Sequence, residues 1–125
     1  MRRRSKNRIP TLRREAWRLF SEYIRERDHN VCFTCGGYAD QAGHFIHARN
    51  SVYFDPRNVH AQCKFCNIFK NGNLIEYTAK MIDVYGREVV DELRRKKHEV
   101  FPISAVYLRG KIEEFQGLLT RHVPI

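Results

Sequence analysis

The sequence predicts an α+β fold in which a short β-hairpin, framed by two cysteine pairs, is flanked by helices at both ends. Three observations predict it. Apolar residues recur at helical spacing before residue 28 and again after residue 73. Between those stretches lie two short runs compatible with strands, separated by a polar segment that contains the turn dipeptide Asp55-Pro56. The Cys-x-x-Cys pairs Cys32/Cys35 and Cys63/Cys66 bracket this middle segment. The chain of 125 residues is enough for one compact domain. That domain is expected over residues 11–125, with its core at about 28–86 and a helical extension over 87–125, behind a basic arm at 1–10.

Residues 1–10 carry few apolar groups, which fits either a solvated tail or an arm that contacts phosphates without reading sequence. From Thr11 to Arg27, Leu12, Ala16, Leu19, Phe20, Tyr23 and Ile24 share one helical face, with Trp17 at its boundary. Arg13, Arg14, Arg18, Arg25 and Arg27 populate the other faces, and Thr11 is placed to cap the helix after Pro10. Asp28 to Gly37 reads as a turn, a short strand over residues 31–33, and a tight Cys-Phe-Thr-Cys-Gly-Gly knuckle. Its glycines let backbone amides turn toward the sulfurs without steric penalty. The hairpin strands are expected at residues 44–47 and at a run that starts at Tyr53 or Val59 and ends at Gln62. A helix is expected from near Cys66, interrupted or ended at Gly72; Leu74, Tyr77, Met81, Ile82 and Tyr85 then repeat at helical spacing until Gly86. A shorter helix over residues 87–96 carries Val89, Val90 and Leu93, and Pro102 breaks the chain. The last helix, about residues 104–119, carries the stripe Ala105, Leu108, Ile112, Phe115 and Leu119. That stripe fits core packing or, as the sharper reading, a homodimer contact.

Charge narrows the function classes. Lys plus Arg is 23 against 14 Asp plus Glu, a net charge of +9. Such an excess suits a polyanion, nucleic acid before an anionic membrane. No apolar run approaches the ~20 residues of a membrane span, and no apolar signal core follows the basic N-terminus. A soluble, intracellular protein is therefore expected. In a reducing compartment four cysteines point to metal ligands rather than disulfides.

Each Cys-x-x-Cys pair can grip a tetrahedral ion from one turn, because two intervening residues bring both sulfurs to one side. Zinc favours thiolate sets, and a closed four-sulfur site is structural rather than catalytic. The alternatives are four unrelated buried thiols or two disulfides. Two such pairs by chance are improbable, and a bridge within a Cys-x-x-Cys would be a redox motif, which fits no βαβ pattern here. Cys32, Cys35, Cys63 and Cys66 are thus assigned to one structural zinc.

The segment between the pairs runs GHFIHARNSVYFDPRNVHAQCKFCNIFK from Gly43 to Lys70. It resembles the HNH motif of His-metal finger endonucleases. There, a His followed by apolar residues leads to an Asn before an apolar residue, then to a knuckle that ends in His or Asn. His44, Asn58, Asn67 and Lys70 occupy those positions. Over most of the chain the pattern LFSEYIRERD, CFTCG, AGHF, NVHAQCKFCN, GNLIEY is similar to the phage NinG (Rap) family of recombination endonucleases. The arrangement also resembles phage junction resolvases of the endonuclease VII type. The resemblance implies a ββα-metal core, a phage protein working in the host cytoplasm, and cleavage of branched DNA such as Holliday junctions or D-loops.

Phosphodiester cleavage needs an activated water, charge stabilisation at the phosphate and help for the leaving oxygen. A neutral imidazole can take the water's proton, since its ordinary pKa is about 6.5, and His44 is assigned that role. A divalent ion, Mg²⁺ or Mn²⁺, stabilises phosphate charge and leaving oxygen; such hard cations want oxygen ligands, which the Asn67 carbonyl supplies. Asn58 fits a loop tie that positions His44. Lys70, Arg49, Arg13 and Arg14 are candidate DNA contacts. The commonest HNH pattern has an acidic metal ligand just before the base, where this sequence has Gly43. Asp40, Asn71 and His47 are alternatives for the missing ligand. His60 fits a buttress, a phosphate contact or a packed structural His equally well. His98 and His122 are expected at the surface; Asn50, Asn71 and Asn73 fit turn positions. Arg94, Arg95, Lys96 and Lys97 fit a solvated helix face or a DNA-contacting patch. Two other functions remain open: a general HNH nickase or homing-type nuclease on duplex DNA, and a non-catalytic zinc-ribbon DNA-binding module.

Overall fold

A computed structural model describes residues 8–121; residues 1–7 of the expected basic arm, and His122, lie outside the described residues. The architecture is α+β, as the periodicities require. Helix α1 runs Ile9–Arg27, strand β1 Gln41–His44, strand β2 Val59–Gln62, α2 Leu74–Tyr85, α3 Arg87–Lys96 and α4 Ala105–Arg121. A five-residue π-helix, Phe65–Phe69, stands between β2 and α2. Of the described residues, 8–23 with 102–121 cluster as one compact unit and 24–101 as another.

In the first unit, α1 begins two residues before Thr11 and takes Pro10 into its first turn. Proline is tolerated there because the missing N–H would have no helical partner. Leu12 N bonds Arg8 O at 2.9 Å, so the cap lies upstream of the expected Thr11. Leu12, Ala16, Leu19 and Phe20 bury the expected face, together with Leu108 and Phe115 of α4. Phe20 stacks on Phe115 at a centroid distance of 4.7 Å. The α4 stripe thus lies in this unit's own core at two of its five positions. Ser104 caps α4 by accepting the Tyr107 N–H at 3.1 Å.

In the second unit, β1 and β2 pair antiparallel with Gln41 opposite Gln62 and His44 opposite Val59. The first strand therefore lies at 41–44 rather than 44–47. Phe45 and Ile46 leave the ladder to join the core with Val52, Tyr77, Met81, Val90 and Leu93. The expected strand at 31–33 shrinks to a single bridge between Val31 and Tyr38. The Cys32 N–H bonds Gly37 O at 2.7 Å and closes the knuckle on itself instead. The outer edge of β2 is occupied: Arg27 donates to Val59 O at 2.9 Å, Asp28 accepts from Ala61 N at 2.8 Å, and Phe33 N bonds Ala61 O at 2.9 Å. Asn71, Gly72 and Asn73 all take positive φ, which separates the π-helix from α2. Gly86, at φ 90, ends α2 and opens α3.

The loop from Phe45 to Asn58 has little regular structure and is tied by side chains. Asn58 is fully buried; its Oδ1 accepts from Ile46 N at 2.8 Å and its Nδ2 donates to Ile46 O and Val52 O, each at 2.9 Å. Asn50 is also buried and donates to Lys96 O at 2.7 Å and Glu99 O at 3.2 Å, which fastens the loop to the end of α3. Asn50 is therefore more than the turn residue its sequence context implied.

Candidate functional site

The two knuckles bring the four cysteine sulfurs within 4.8 Å of one another. Cys35 Sγ and Cys63 Sγ are 3.7 Å apart. That matches the edge of a tetrahedron with zinc–sulfur bonds of ~2.3 Å, about 3.8 Å, and is far longer than a disulfide bond of ~2.05 Å. Amide hydrogens already point at the sulfurs: Gly37 N at 3.4 Å from Cys35 Sγ, Cys66 N at 3.4 Å from Cys63 Sγ, and Asn73 Nδ2 at 3.6 Å from Cys66 Sγ. Although the Gly37 amide favours the Cys35 thiolate, the neighbouring Cys32, Cys63 and Cys66 sulfurs and partial burial push its thiol up to about 12. Four sulfurs this close need a cation before all can be deprotonated. The set can hold a zinc ion, as the spacing predicted.

His44 ends β1. Its Nε2 lies 3.0 Å from Tyr53 O. A carbonyl only accepts, so Nε2 carries the hydrogen and the basic lone pair falls on Nδ1. Burial pushes the pKa down to about 4 against the pull of that carbonyl, with His47 adding to the drop, so the ring is neutral at pH 7. His44, His47, Ala48, Arg49 and Tyr53 line an open depression of about 400 Å³. Arg49 is exposed there, whereas Arg13 and Arg14 stand on α1 in the other unit. Asn58 does not reach the depression; both ends of its amide are committed to backbone. Its contacts to Ile46 and Val52, and its own carbonyl bonded to Phe45 N at 2.8 Å, hold the chain on either side of the His44–Tyr53 pair.

Asn67 follows the last cysteine and sits in the π-helix, where its Nδ2 donates to Gln41 Oε1 at 2.9 Å. Its Oδ1 lies 2.7 Å from the point where a Cβ on Gly43 would stand, and that Cβ would overlap Gln62 Oε1. Gly43 therefore has no room for the acidic side chain found in the commonest HNH pattern. Among the described residues, Gln62 Oε1 is a buried side-chain oxygen with no hydrogen-bond partner. Of the residues considered for the second ligand, His47 is exposed, with its Nε2 3.9 Å from where a Cβ on Gly72 would be and its ring 5.9 Å from that of His44. Asp40 and Asn71 are exposed. Lys70 is exposed as well, with Nζ 5.4 Å above the ring of the exposed Phe65.

His60, on β2, is buried beneath Phe33, whose ring stacks on it at 3.9 Å. Tyr77 gives its one hydroxyl hydrogen to Gly43 O at 2.8 Å. The His60 Nδ1–H must therefore donate to Tyr77 Oη at 3.1 Å, and Nε2 accepts from Tyr85 Oη at 2.8 Å. This chain props the backbone at Gly43, next to His44. The packed, buttressing reading of His60 fits its geometry, and burial excludes the phosphate contact.

Residues 2–122 match the family described as Bacteriophage Lambda NinG protein. The chain belongs to the NinG family. Curated NinG relatives are 38% identical over 86 residues in Escherichia phage 933W, 37% over 86 in Escherichia phage lambda and 37% over 93 in Salmonella phage P22. Those matches cover 64%, 64% and 68% of this chain and 43%, 42% and 46% of the relatives, so the chain spans less than half their length. No solved structure matches it. Among the described residues, no helix is long and apolar enough to cross a membrane.

The structure of this NinG chain adds residues that the motif did not single out. Gln62 precedes the second knuckle and carries no motif signal of its own; only its paired donations to Thr34 and Gly72 expose its other end. Tyr77 and Tyr85 fall on the helical repeat of α2, a pattern that carries no signal for what their hydroxyls bond. Arg27 looked like one more surface cation, yet it donates to Pro56 O and Val59 O.

Proposed function

We propose that this NinG-family chain is a metal-dependent DNA endonuclease that hydrolyses phosphodiester bonds in branched recombination intermediates of the Holliday-junction or D-loop type. The observation that carries the reading is the neutral His44, oriented by the Tyr53 carbonyl beside a depression that also holds Arg49. On this reading the hairpin and the π-helix are the ββα-metal core of an HNH nuclease. The four cysteines fix with zinc the point where the chain turns toward Asn67.

The reaction is a hydrolysis. Water oxygen bonds to phosphorus, one ester P–O bond breaks, and the leaving oxygen takes a proton. His44 removes the proton from the attacking water through Nδ1, while Tyr53 O keeps the ring in place as charge develops on it. Asn58 holds the loop that supplies Tyr53, and His60 with Tyr77 fixes the strand that supplies His44. Arg49 and Lys70 offer positive charge to the backbone phosphates. Bound Mg²⁺ or Mn²⁺ would be held through Asn67 Oδ1 and would stabilise charge on the phosphate and the leaving oxygen.

The test is cleavage of labelled four-way junctions with Mg²⁺, beside linear duplex and supercoiled plasmid. The expectation is junction cleavage that His44→Ala reduces by about 10²-fold or more without loss of junction binding. Equal cleavage of duplex would favour a general nickase. Salt-sensitive binding with no cleavage in any divalent metal would leave a zinc-ribbon DNA-binding module.

A further inference from the structure

The Gln62 amide is held from one end. Its Nε2 donates to Gly72 O at 2.9 Å and to Thr34 Oγ1 at 3.1 Å. A carbonyl partner takes only a hydrogen, so the orientation of the amide is set. The other end, Oε1, is buried without a hydrogen-bond partner. An acceptor in that condition is costly, and proteins seldom leave one so. This oxygen does not face an apolar wall. It and Asn67 Oδ1 both lie close beside Gly43, within 2.7 Å of the point where a Cβ would stand. Asn67 gives its Nδ2 to Gln41 Oε1 at 2.9 Å, and its Oδ1 is the end that lies beside Gly43. Two carbonyl oxygens this close to one point repel each other unless a donor or a cation joins them.

We infer that Gln62 Oε1 is the second protein ligand of the divalent cation held by Asn67, supplied from β2 in place of an acidic side chain at position 43. The inference rests on the nuclease reading above. It makes Gly43 and Gln62 one device: any side chain at 43 would displace the Gln62 oxygen. It also states what kind of cation site this is. Two amide oxygens suit a hard ion such as Mg²⁺ or Mn²⁺ and offer nothing to favour a soft one. Neither ligand is charged, so the free protein holds the ion weakly. The DNA phosphate supplies the missing negative charge, and cation and DNA bind together.

The test is Mn²⁺ binding, read by electron paramagnetic resonance on zinc-loaded protein carrying His44→Ala, with and without a four-way junction. The junction is expected to tighten Mn²⁺ by about tenfold or more. Gln62→Leu is expected to weaken Mn²⁺ by roughly tenfold or more, with zinc content and metal-free junction affinity retained. Gln62→Glu, which keeps an oxygen and adds charge, is expected to bind Mn²⁺ more tightly than the parent and to depend less on the junction. Should the Leu variant fail to fold, the Glu variant decides alone. Unchanged Mn²⁺ affinity in the folded Leu variant, or unchanged or weaker affinity in the Glu variant, overturns the ligand assignment and leaves the nuclease reading standing. A parent protein that takes up no Mn²⁺ in either condition overturns both.

Discussion

Asn58 carries three hydrogen bonds to buried backbone groups of a loop that has almost no ladder of its own. Truncation to Ala leaves those groups without partners, each costing ~1–3 kcal/mol. Asn58→Ala is therefore expected to lose about 3 kcal/mol or more in urea unfolding, and to lose junction cleavage through a displaced His44. His60 gives a prediction with a definite sign. Burial and the Arg27 charge, against Asp28, push its pKa down to about 3; the unfolded value is about 6.5. Below pH 6.5 the unfolded chain binds a proton that the folded chain refuses until pH nears 3. The stability present at pH 7 is thus lost as pH falls through that window, at up to ~1.4 kcal/mol per pH unit for each such histidine. Melting temperatures of the parent should fall between pH 6.5 and 5, and those of His60→Gln should fall less steeply; the zinc–thiolate contribution is common to both. At this scale the sequence spoke through residue identity at fixed spacing: the cysteine cluster was legible, and His44, Asn58 and Asn67 stood out as candidates by their register with it. Gln62 was not, because its meaning lies in an unpartnered oxygen, which exists only once Thr34 and Gly72 have been folded against its nitrogen.

Helices were easier to read than strands. The stripes of α1, α2, α3 and α4 each follow the 3.6-residue period over two turns or more, and their boundaries fell within about two residues of the expected ones. Strand β1 was misplaced by three residues because Gln41, Ala42 and Gly43 have weak strand preference while Phe45 and Ile46 look strand-like. Pairing with Val59–Gln62 decides the register instead, and the two apolar residues serve the core beyond the strand. The π-helix after the second knuckle was read as the start of an ordinary helix. Its bond from Lys70 N to Phe65 O, five residues back, shows the wider turn, and Gly72 N closes the end on Cys66 O. Glycines separate two element-scale effects. Gly86 sits at φ 90 between α2 and α3, so Gly86→Ala is expected to cost about 1–3 kcal/mol in thermal unfolding. Gly110 lies inside α4 with open space where a Cβ would go, so Gly110→Ala is expected to gain ~0.5–1 kcal/mol in the same measurement.

For the molecule as a whole, the four-cysteine site that can hold zinc and the core of residues 24–101 are built from the same short segments. Cys32, Ala39, Ala61 and Cys66 pack together, and Phe33 between them reaches the Tyr77 and His60 rings. Zinc binding to a four-thiolate site contributes on the order of 10 kcal/mol, as much as the whole stability of a typical domain, ~5–15 kcal/mol. Removing zinc with a chelator is therefore expected to unfold the unit of residues 24–101, seen as loss of far-ultraviolet circular dichroism in step with zinc release, and to be reversed by added Zn²⁺. The outer edge of β2 bears on how such a protein survives at high concentration. A two-stranded sheet with a bare edge is a template on which other chains can polymerise. Here Arg27, Asp28 and Phe33 take up the Val59 carbonyl and both backbone groups of Ala61 on that edge, so those groups are closed to a stray strand. Asp28→Ala would strip the partner from the Ala61 amide, and the first sign should be aggregation during expression rather than any change in chemistry.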